Sequence, residues 1–305
     1  LPLVEFGDVG GGEIAAPERP ACDAGQVRIR VAAAGLNRAD LLQMKGLYPP
    51  PPGASPYMGL ECAGVIAEVG AGAAWRVGDR VCALLASGAH GLSLHEAAAL
   101  PEVYATAWLN IFQLGGVKAG EKVLVHAGAS GVGSAAIQLC KAFGNSVWVS
   151  VGSAERLAYC QALGAAGGVV RNQNLDDLEA IGPFDVILDP VGASYGELNL
   201  KLLARDGRWV IIGVMGGRTF ELDLAQVMGK RAQITGSTLR NRDDAFKAEL
   251  LSDLHQQVWP LFTEGRLSPQ LVDTYPVEFA QAAYAELETN QVSGKLVMII
   301  DPSLA

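Results

Sequence analysis

The sequence holds no CxxC pair, no cluster of Lys and Arg with interleaved aromatics, and no apolar run of the roughly 18 residues that a spanning helix requires. Each absence removes a class of function. The five cysteines, Cys22, Cys62, Cys82, Cys140 and Cys160, do not have zinc-ribbon spacing and read as small core residues. A net charge of −9 and a pI near 5.0 give no electrostatic footprint for nucleic acid. The opening LPLVEFGDVG lacks the basic-then-apolar order of a signal peptide, so a cytoplasmic protein is expected, with neither membrane nor nucleic acid as partner. What is present is a chain of 305 residues, half of them hydrophobic, which is enough for two cores.

The first third is rich in Gly and Pro and carries short alternating runs, QVRIRVAAAG at 26–35 and GVIAEVG at 64–70, that predict antiparallel strands. From about Ala105 apolar runs of strand length alternate with amphipathic segments of helix length, a βαβ rhythm. Strands are expected at 122–126, 146–151, 168–170, 185–189, 208–213 and 233–237, with helices at 132–143, 154–163, 194–203 and 222–230. Such a series suits a doubly wound parallel sheet. A charged segment from about residue 241 predicts a long helix, and the late SGKLVMIID a strand that returns to the first domain. The expected division is therefore 1–104 with 241–305, and 105–240.

Between the first strand and first helix of the second region stands VLVHAGASGVGSAAIQL. Gly128, Gly131 and Gly133 fall where a strand must turn sharply, admit a pyrophosphate to the backbone and let the next helix pack closely. The spacing is GxxGxG, and its setting in a βαβ series is what makes it a dinucleotide signal. At the end of the second strand, VWVSVGSAERL places Gly152, Ser153 and Arg156, with no carboxylate on the strand end to hold a ribose diol. A hydroxyl and a guanidinium suit a 2′-phosphate, so NADPH is expected over NADH. Glu155 reads as serving the helix dipole, and His126 as a hydrogen-bonded core residue.

The segments VAAAGLNRADLLQMKGLYPPPPGASPYMGLECAGVIAEVG, WRVGDRVCALL, HEAAALPEVYATAWLNIF, HAGASGVGSAAIQL, DGRWVIIGVMGG and TGSTLRNR run through most of the chain. Together they resemble the medium-chain dehydrogenase/reductase superfamily in its zinc-free quinone oxidoreductase branch, and look closest to the p53-inducible quinone oxidoreductase type. The resemblance implies an α/β protein with a GroES-like, partly open β-barrel catalytic domain and a doubly wound parallel-sheet (Rossmann) domain for NADPH. Alcohol dehydrogenases of the superfamily hold catalytic zinc with a cysteine where this chain has Asn37, and with a His-Glu pair where it has Leu60 and Glu61. Zinc takes three protein ligands and a water, so no metal is expected. Two departures stand out. GGVVRNQN has Arg171 and Asn172 where relatives carry an Asn-Tyr pair, so that tyrosine contact is not carried over. After GDRVCALLASG the family's next strands are missing; we read the interval between Ala86 and Leu92 as lacking residues, because deleting paired strands would expose sheet edges.

The resemblance also implies a reaction and its residues. A quinone is a strong electrophile and needs a positioned hydride donor more than acid or metal help. The nicotinamide is expected in a cleft between the domains, lined by Asn37 and Tyr48, with Tyr48 positioning the quinone before the rigid Pro49 to Pro52. Ser130, Gly131, Val132 and Gly133 hold the pyrophosphate with Gly128 at the turn, and Gly152, Ser153 and Arg156 hold the 2′-phosphate. Gly213, Val214 and Met215 edge the nicotinamide, followed by Ser237, Thr238, Leu239 and Arg240 after the last sheet strand. Thr106 is either a cofactor contact or a helix-start hydroxyl, and Lys295 either a cofactor contact or a solvated strand-start lysine. The relatives imply a homodimer joined through the nucleotide-domain sheets. The rival readings are an NADPH-dependent enoyl or alkenal reductase and a non-enzymatic NADPH-binding protein.

Overall fold

In the computed structural model, which describes residues 3–7, 11–15, 21–51, 57–84, 87–88, 92–173 and 175–304, the chain forms two compact units. One is Leu1–Glu102 with Pro269–Ala305; the other is Val103–Ser268.

In the first unit β1 (Leu3–Gly7) and β2 (Gly11–Ala15) make an antiparallel ladder of their own. β3 (Val27–Gly35), β4 (Cys62–Val69), β5 (Arg80–Ala83) and β6 (Ser87–Gly88) pair antiparallel in succession. The register of β3 on β4 shifts between Val31 and Ala33, and Gly64 lies across this bulge, where a Cβ would stand 2.1 Å from the Arg30 carbonyl oxygen. Residues 85–86 and 89–91, on which the expected shortfall falls, lie outside the described residues, as does Pro52.

The second unit carries six parallel strands: β7 (Lys122–His126), β8 (Ser146–Val151), β9 (Gly167–Val170), β10 (Phe184–Asp189), β11 (Leu203–Ile211) and β12 (Gln233–Gly236). Their order is β12-β11-β10-β7-β8-β9, the doubly wound arrangement, with its switch point between β7 and β10. Strands of a parallel sheet are covered on both faces, so Val123, Leu124 and Val125 are all buried without alternation. Strand and helix positions follow the sequence closely, and the differences have local causes. The helix expected at 222–230 starts at Leu224, because Asp223 accepts the Ala225 and Gln226 N–H groups at its N-terminus. The strand expected at 208–213 is instead β11, which begins at Leu203, bulges past Asp206 at φ 61° and then pairs in parallel from Arg208.

Residue 241 is not where the chain leaves this unit. The helix Asp244–Gln257 buries Leu250, Leu251 and Leu254, and its Asp253 accepts a 2.6 Å hydrogen bond from Trp108 Nε1 and one of 3.1 Å from Gln113. Trp259 and Phe262 then meet Tyr104 edge-on, and Gln138 exchanges hydrogen bonds with the Ser268 backbone. These contacts hold 241–268 in the parallel-sheet unit, which corrects the expected division.

The last strands return to the first unit. β14 (Lys295–Ile299) lies between β13 (Leu271–Pro276), to which it is parallel, and β3, to which it is antiparallel. Leu296 and Met298 pack with Leu36, Leu41, Ala283 and Tyr284 in one core. Among the described residues no helix is long and apolar enough to cross a membrane.

Asp253→Ala leaves the buried Trp108 N–H without its acceptor. A loss of about 1–3 kcal/mol in urea denaturation is expected, while Ser252→Ala, on an exposed face, leaves stability unchanged.

Candidate functional site

The carboxyl ends of parallel strands at a switch point are where doubly wound sheets take ligands. Here the end of β7 runs into Ala127, at φ 54°, and then the glycine loop. A Cβ on Gly128 would lie 2.6 Å from Val149, and one on Gly133 2.4 Å from the Gly128 carbonyl oxygen. These two glycines let the helix Gly131–Ala142 approach the sheet at backbone distance. Ser130 caps that helix by accepting the Gly133 N–H at 3.1 Å, and its carbonyl takes the Ser134 N–H. The Gly131 and Val132 N–H groups precede the first intrahelical bond and sit at the positive end of the helix dipole. A pyrophosphate fits this cradle.

Beneath the loop is a polar network. His126 is buried, with Nδ1 2.7 Å from Ser150 Oγ and Nε2 2.7 Å from Asn199 Oδ1. Asn199 donates through Nδ2 to Asp189, whose carboxylate also accepts from Trp209 Nε1 and the Val191 and Gly192 N–H groups. Since Asn199 offers oxygen to His126, the neutral ring carries its proton on Nε2 and accepts the Ser150 hydroxyl proton at Nδ1. Burial pushes the imidazole pKa down, against the opposing charge of Asp189, and keeps the ring neutral. His126 thus joins β7 to β8 through Ser150, and to β10 and β11 through Asn199 and Asp189, at the carboxyl edge of the sheet; it is the hydrogen-bonded core residue that the sequence predicts.

At the end of β8 Ser153 caps the helix Ala154–Leu163, accepting the Arg156 N–H at 3.4 Å. The Arg156 guanidinium folds back over Gly152: a Cβ there would lie 3.1 Å from its Nη1, and 4.0 Å from Nη2 of Arg171. Arg171 was not among the residues expected to act. Its signal was the departure already visible in GGVVRNQN, an arginine directly after the strand beside β8.

Gly213, Val214 and Met215 follow the end of β11, and Ser237, Thr238, Leu239 and Arg240 the end of β12, in the same unit. Gly213 approaches Pro190, whose carbonyl oxygen would be 2.7 Å from an added Cβ, and Val214 and Met215 beyond it are half exposed. Ser237 Oγ donates to Asn110 Oδ1 at 2.6 Å; Thr238 is exposed, Arg240 half-buried, and the Leu239 side chain is buried, which leaves only its backbone to a ligand. Thr106 lies within the helix Pro101–Ala107, where its carbonyl accepts from Asn110, so it is not at a helix start.

In the first unit Asn37, Glu61 and Lys295 form one buried cluster. Lys295 Nζ donates to the Leu36 carbonyl (2.7 Å), Asn37 Oδ1 (2.8 Å) and Glu61 Oε1 (2.6 Å), which uses all three of its N–H groups. Asn37 Nδ2 donates to the same Glu61 oxygen at 2.9 Å, and Glu61 Oε2 accepts the Glu102 N–H at 2.8 Å. Lys295 is therefore not a solvated lysine, which corrects that one of its two readings, but an internal counterion. Asn37, also buried, has its amide engaged on both sides, its oxygen by Lys295 and its nitrogen by Glu61. Asp40 accepts the Asn37 N–H at 2.8 Å; burial pushes its carboxyl up to about 6 against that bond and the Lys295 charge. Tyr48 follows the helix Arg38–Met44, half-buried.

A model of the "Alcohol dehydrogenase GroES-like domain" matches residues 23–110, and one of "Zinc-binding dehydrogenase" matches 131–255. The chain belongs to the medium-chain dehydrogenase/reductase superfamily. Its relatives include the synaptic vesicle membrane protein VAT-1 homolog of Danio rerio, 30% identical over 93% of this chain, which spans 66% of that protein's length. Among solved structures, the Escherichia coli quinone oxidoreductase complexed with NADPH shares 26% identity at a TM-score of 0.85, covering 98% of this chain and 100% of its own. The CurK enoyl reductase shares 26% identity at a TM-score of 0.84, covering 98% of each chain. Although this medium-chain dehydrogenase/reductase matches a family model named for zinc, its donor set does not fit the ion. Of the three motif positions only Glu61 is a metal ligand, and its Oε1 is already shared by Lys295 and Asn37. Among the described residues no group of three His, Cys, Asp or Glu side chains is placed to hold a metal.

Lys295→Met would strand Glu61 as a buried charge, and a destabilisation of about 3–5 kcal/mol is expected by urea denaturation; adding Glu61→Gln recovers a large part of it. Asp40 should govern a second, pH-dependent loss. Its carboxyl is 3.8 unfolded and about 6 folded, so the stability of its neutral form is complete below pH 3.8 and is lost as pH rises through about 6. Asp40→Asn should therefore gain on the parent between pH 4 and pH 7, by roughly 1–3 kcal/mol in thermal melts at the two pH values.

Proposed function

We propose that this medium-chain dehydrogenase/reductase is an NADPH-dependent quinone reductase that works without a metal. The observation that carries the reading is the Lys295 ammonium bound to Glu61 and Asn37, which takes up the charge and the acceptor groups that a metal ion would need. Bound NADPH would supply a hydride. Around it the chain's own work is binding and orientation: the N–H groups after Ser130 hold a pyrophosphate, and Ser153 and Arg156 bind a 2′-phosphate by charge-assisted hydrogen bonds. In this reading Tyr48 donates a hydrogen bond to a quinone oxygen and holds the acceptor in place, while Asn37, itself held by Lys295 and Glu61, positions the backbone that carries Tyr48. A quinone needs little further activation, so orientation supplies the rate. The homodimer belongs to this proposal too, through β12, the edge strand of the parallel sheet.

The likeness to the CurK enoyl reductase supports a second reading, reduction of an enone. That reaction places hydride on a β-carbon and requires a proton donor for the α-carbon, which the quinone reaction does not.

The two readings separate in steady-state kinetics with NADPH against an ortho-quinone, a para-quinone and a short enone. The proposal expects kcat/KM for the quinones to exceed that for the enone at least tenfold, and Tyr48→Phe to lower the quinone value by roughly tenfold, one hydrogen bond's worth. An enone turned over faster than both quinones would reject the proposal in favour of the second reading.

A further inference from the structure

The ends of β8 and β9 lie side by side. The Arg171 N–H donates to the Val151 carbonyl at 2.9 Å, so the residue after β9 stands level with the last residue of β8 and beside Gly152. From there its guanidinium turns toward the same spot as that of Arg156: the position of a Gly152 Cβ is 3.1 Å from Arg156 Nη1 and 4.0 Å from Arg171 Nη2. Two forked cations thus converge over a residue with no side chain, and any larger residue there would press on Arg156.

That convergence opposes electrostatics. Arg156 is partly buried, and burial followed by the charge of Arg171 lowers its pKa. The nearest carboxylate in sequence, Glu155, is taken by a hydrogen bond with Ser153, which holds its pKa low. Arg171 is exposed and free to follow a ligand, whereas Arg156 is anchored on the first turn of its helix. Two planar forks carrying one charge each match a phosphate monoester, which is dianionic near neutral pH and offers three acceptor oxygens.

We infer that Arg171 is the second arm of a two-arginine clamp that closes on the 2′-phosphate of NADPH above Gly152, opposite Arg156. The clamp rests on the NADPH reading above and adds to it a specificity-determining residue that lies on a different strand. Arg156 supplies the fixed wall and Arg171 the closing one. Gly152 leaves the space in which the phosphate sits.

The test is equilibrium binding, followed by intrinsic fluorescence at fixed ionic strength, with NADPH, NADH, adenosine 2′,5′-bisphosphate and AMP as probes. For Arg171→Ala we expect Kd to rise tenfold or more for NADPH and for adenosine 2′,5′-bisphosphate, with NADH and AMP unchanged within twofold. Arg171→Lys should recover part of the loss, and the salt dependence of NADPH binding should flatten in Arg171→Ala. Unchanged melting temperatures are expected, because the side chain is exposed. If Arg156→Ala abolishes the preference for NADPH over NADH while Arg171→Ala leaves it within twofold of the parent, the clamp is overturned and the NADPH reading stands. If the parent itself binds NADPH and NADH alike, both are overturned.

Discussion

The ion pair between Lys295 and Glu61 closes the first unit. It joins residues 234 positions apart, one near the beginning of the sheet and the other on its last inserted strand. Neither charge is tolerable alone in the apolar interior, where an unpaired ion costs several kcal/mol. The pair therefore fixes the placement of β14 between β13 and β3, and with it the Leu36 carbonyl and Asn37 at the start of the Arg38–Met44 helix. Tyr48 and Pro49, Pro50 and Pro51 follow that helix. Their position is thus set by a strand that the chain delivers only at its end.

In the parallel-sheet unit, hydrogen bonds gathered on the Asp189 carboxylate take the place of an ion pair as the tie. His126, Ser150, Asn199, Asp189 and Trp209 link four strands just below the edge where a ligand would lie. Every polar atom named there has a partner, which offsets the cost of burying it and makes the network rigid. The glycine loop above it then needs only small residues, because its backbone is already held from below.

Most of this architecture was legible in the sequence because parallel strands announce themselves. Runs such as VLV at 123–125 can only be buried on both faces, and the Ser130, Ser153 and Asp223 caps mark helix starts to within two residues. What was not legible depended on contacts distant in sequence. The helix Asp244–Gln257 is charged and only weakly amphipathic by eye, and it joins the parallel-sheet unit through Asp253 and the aromatic residues after it, which no local pattern reveals. The burial of Lys295 was hidden in the same way, since a lysine at a strand start reads as solvated until its partners 234 and 258 residues earlier are brought beside it. Arg171 was visible as an irregularity, but its meaning required knowing that β9 ends next to β8.

The buried ammonium of Lys295 has a consequence for how this site relates to its surroundings. A cation that is part of the polypeptide arrives with synthesis, so this cluster forms whatever the supply of metal ions, and no chelator can remove it. It is also coordinatively closed: with three N–H groups committed to three oxygens, it cannot exchange a ligand for a substrate atom or polarise a bond. At this cluster the chain holds its groups in place by bonds that are already filled.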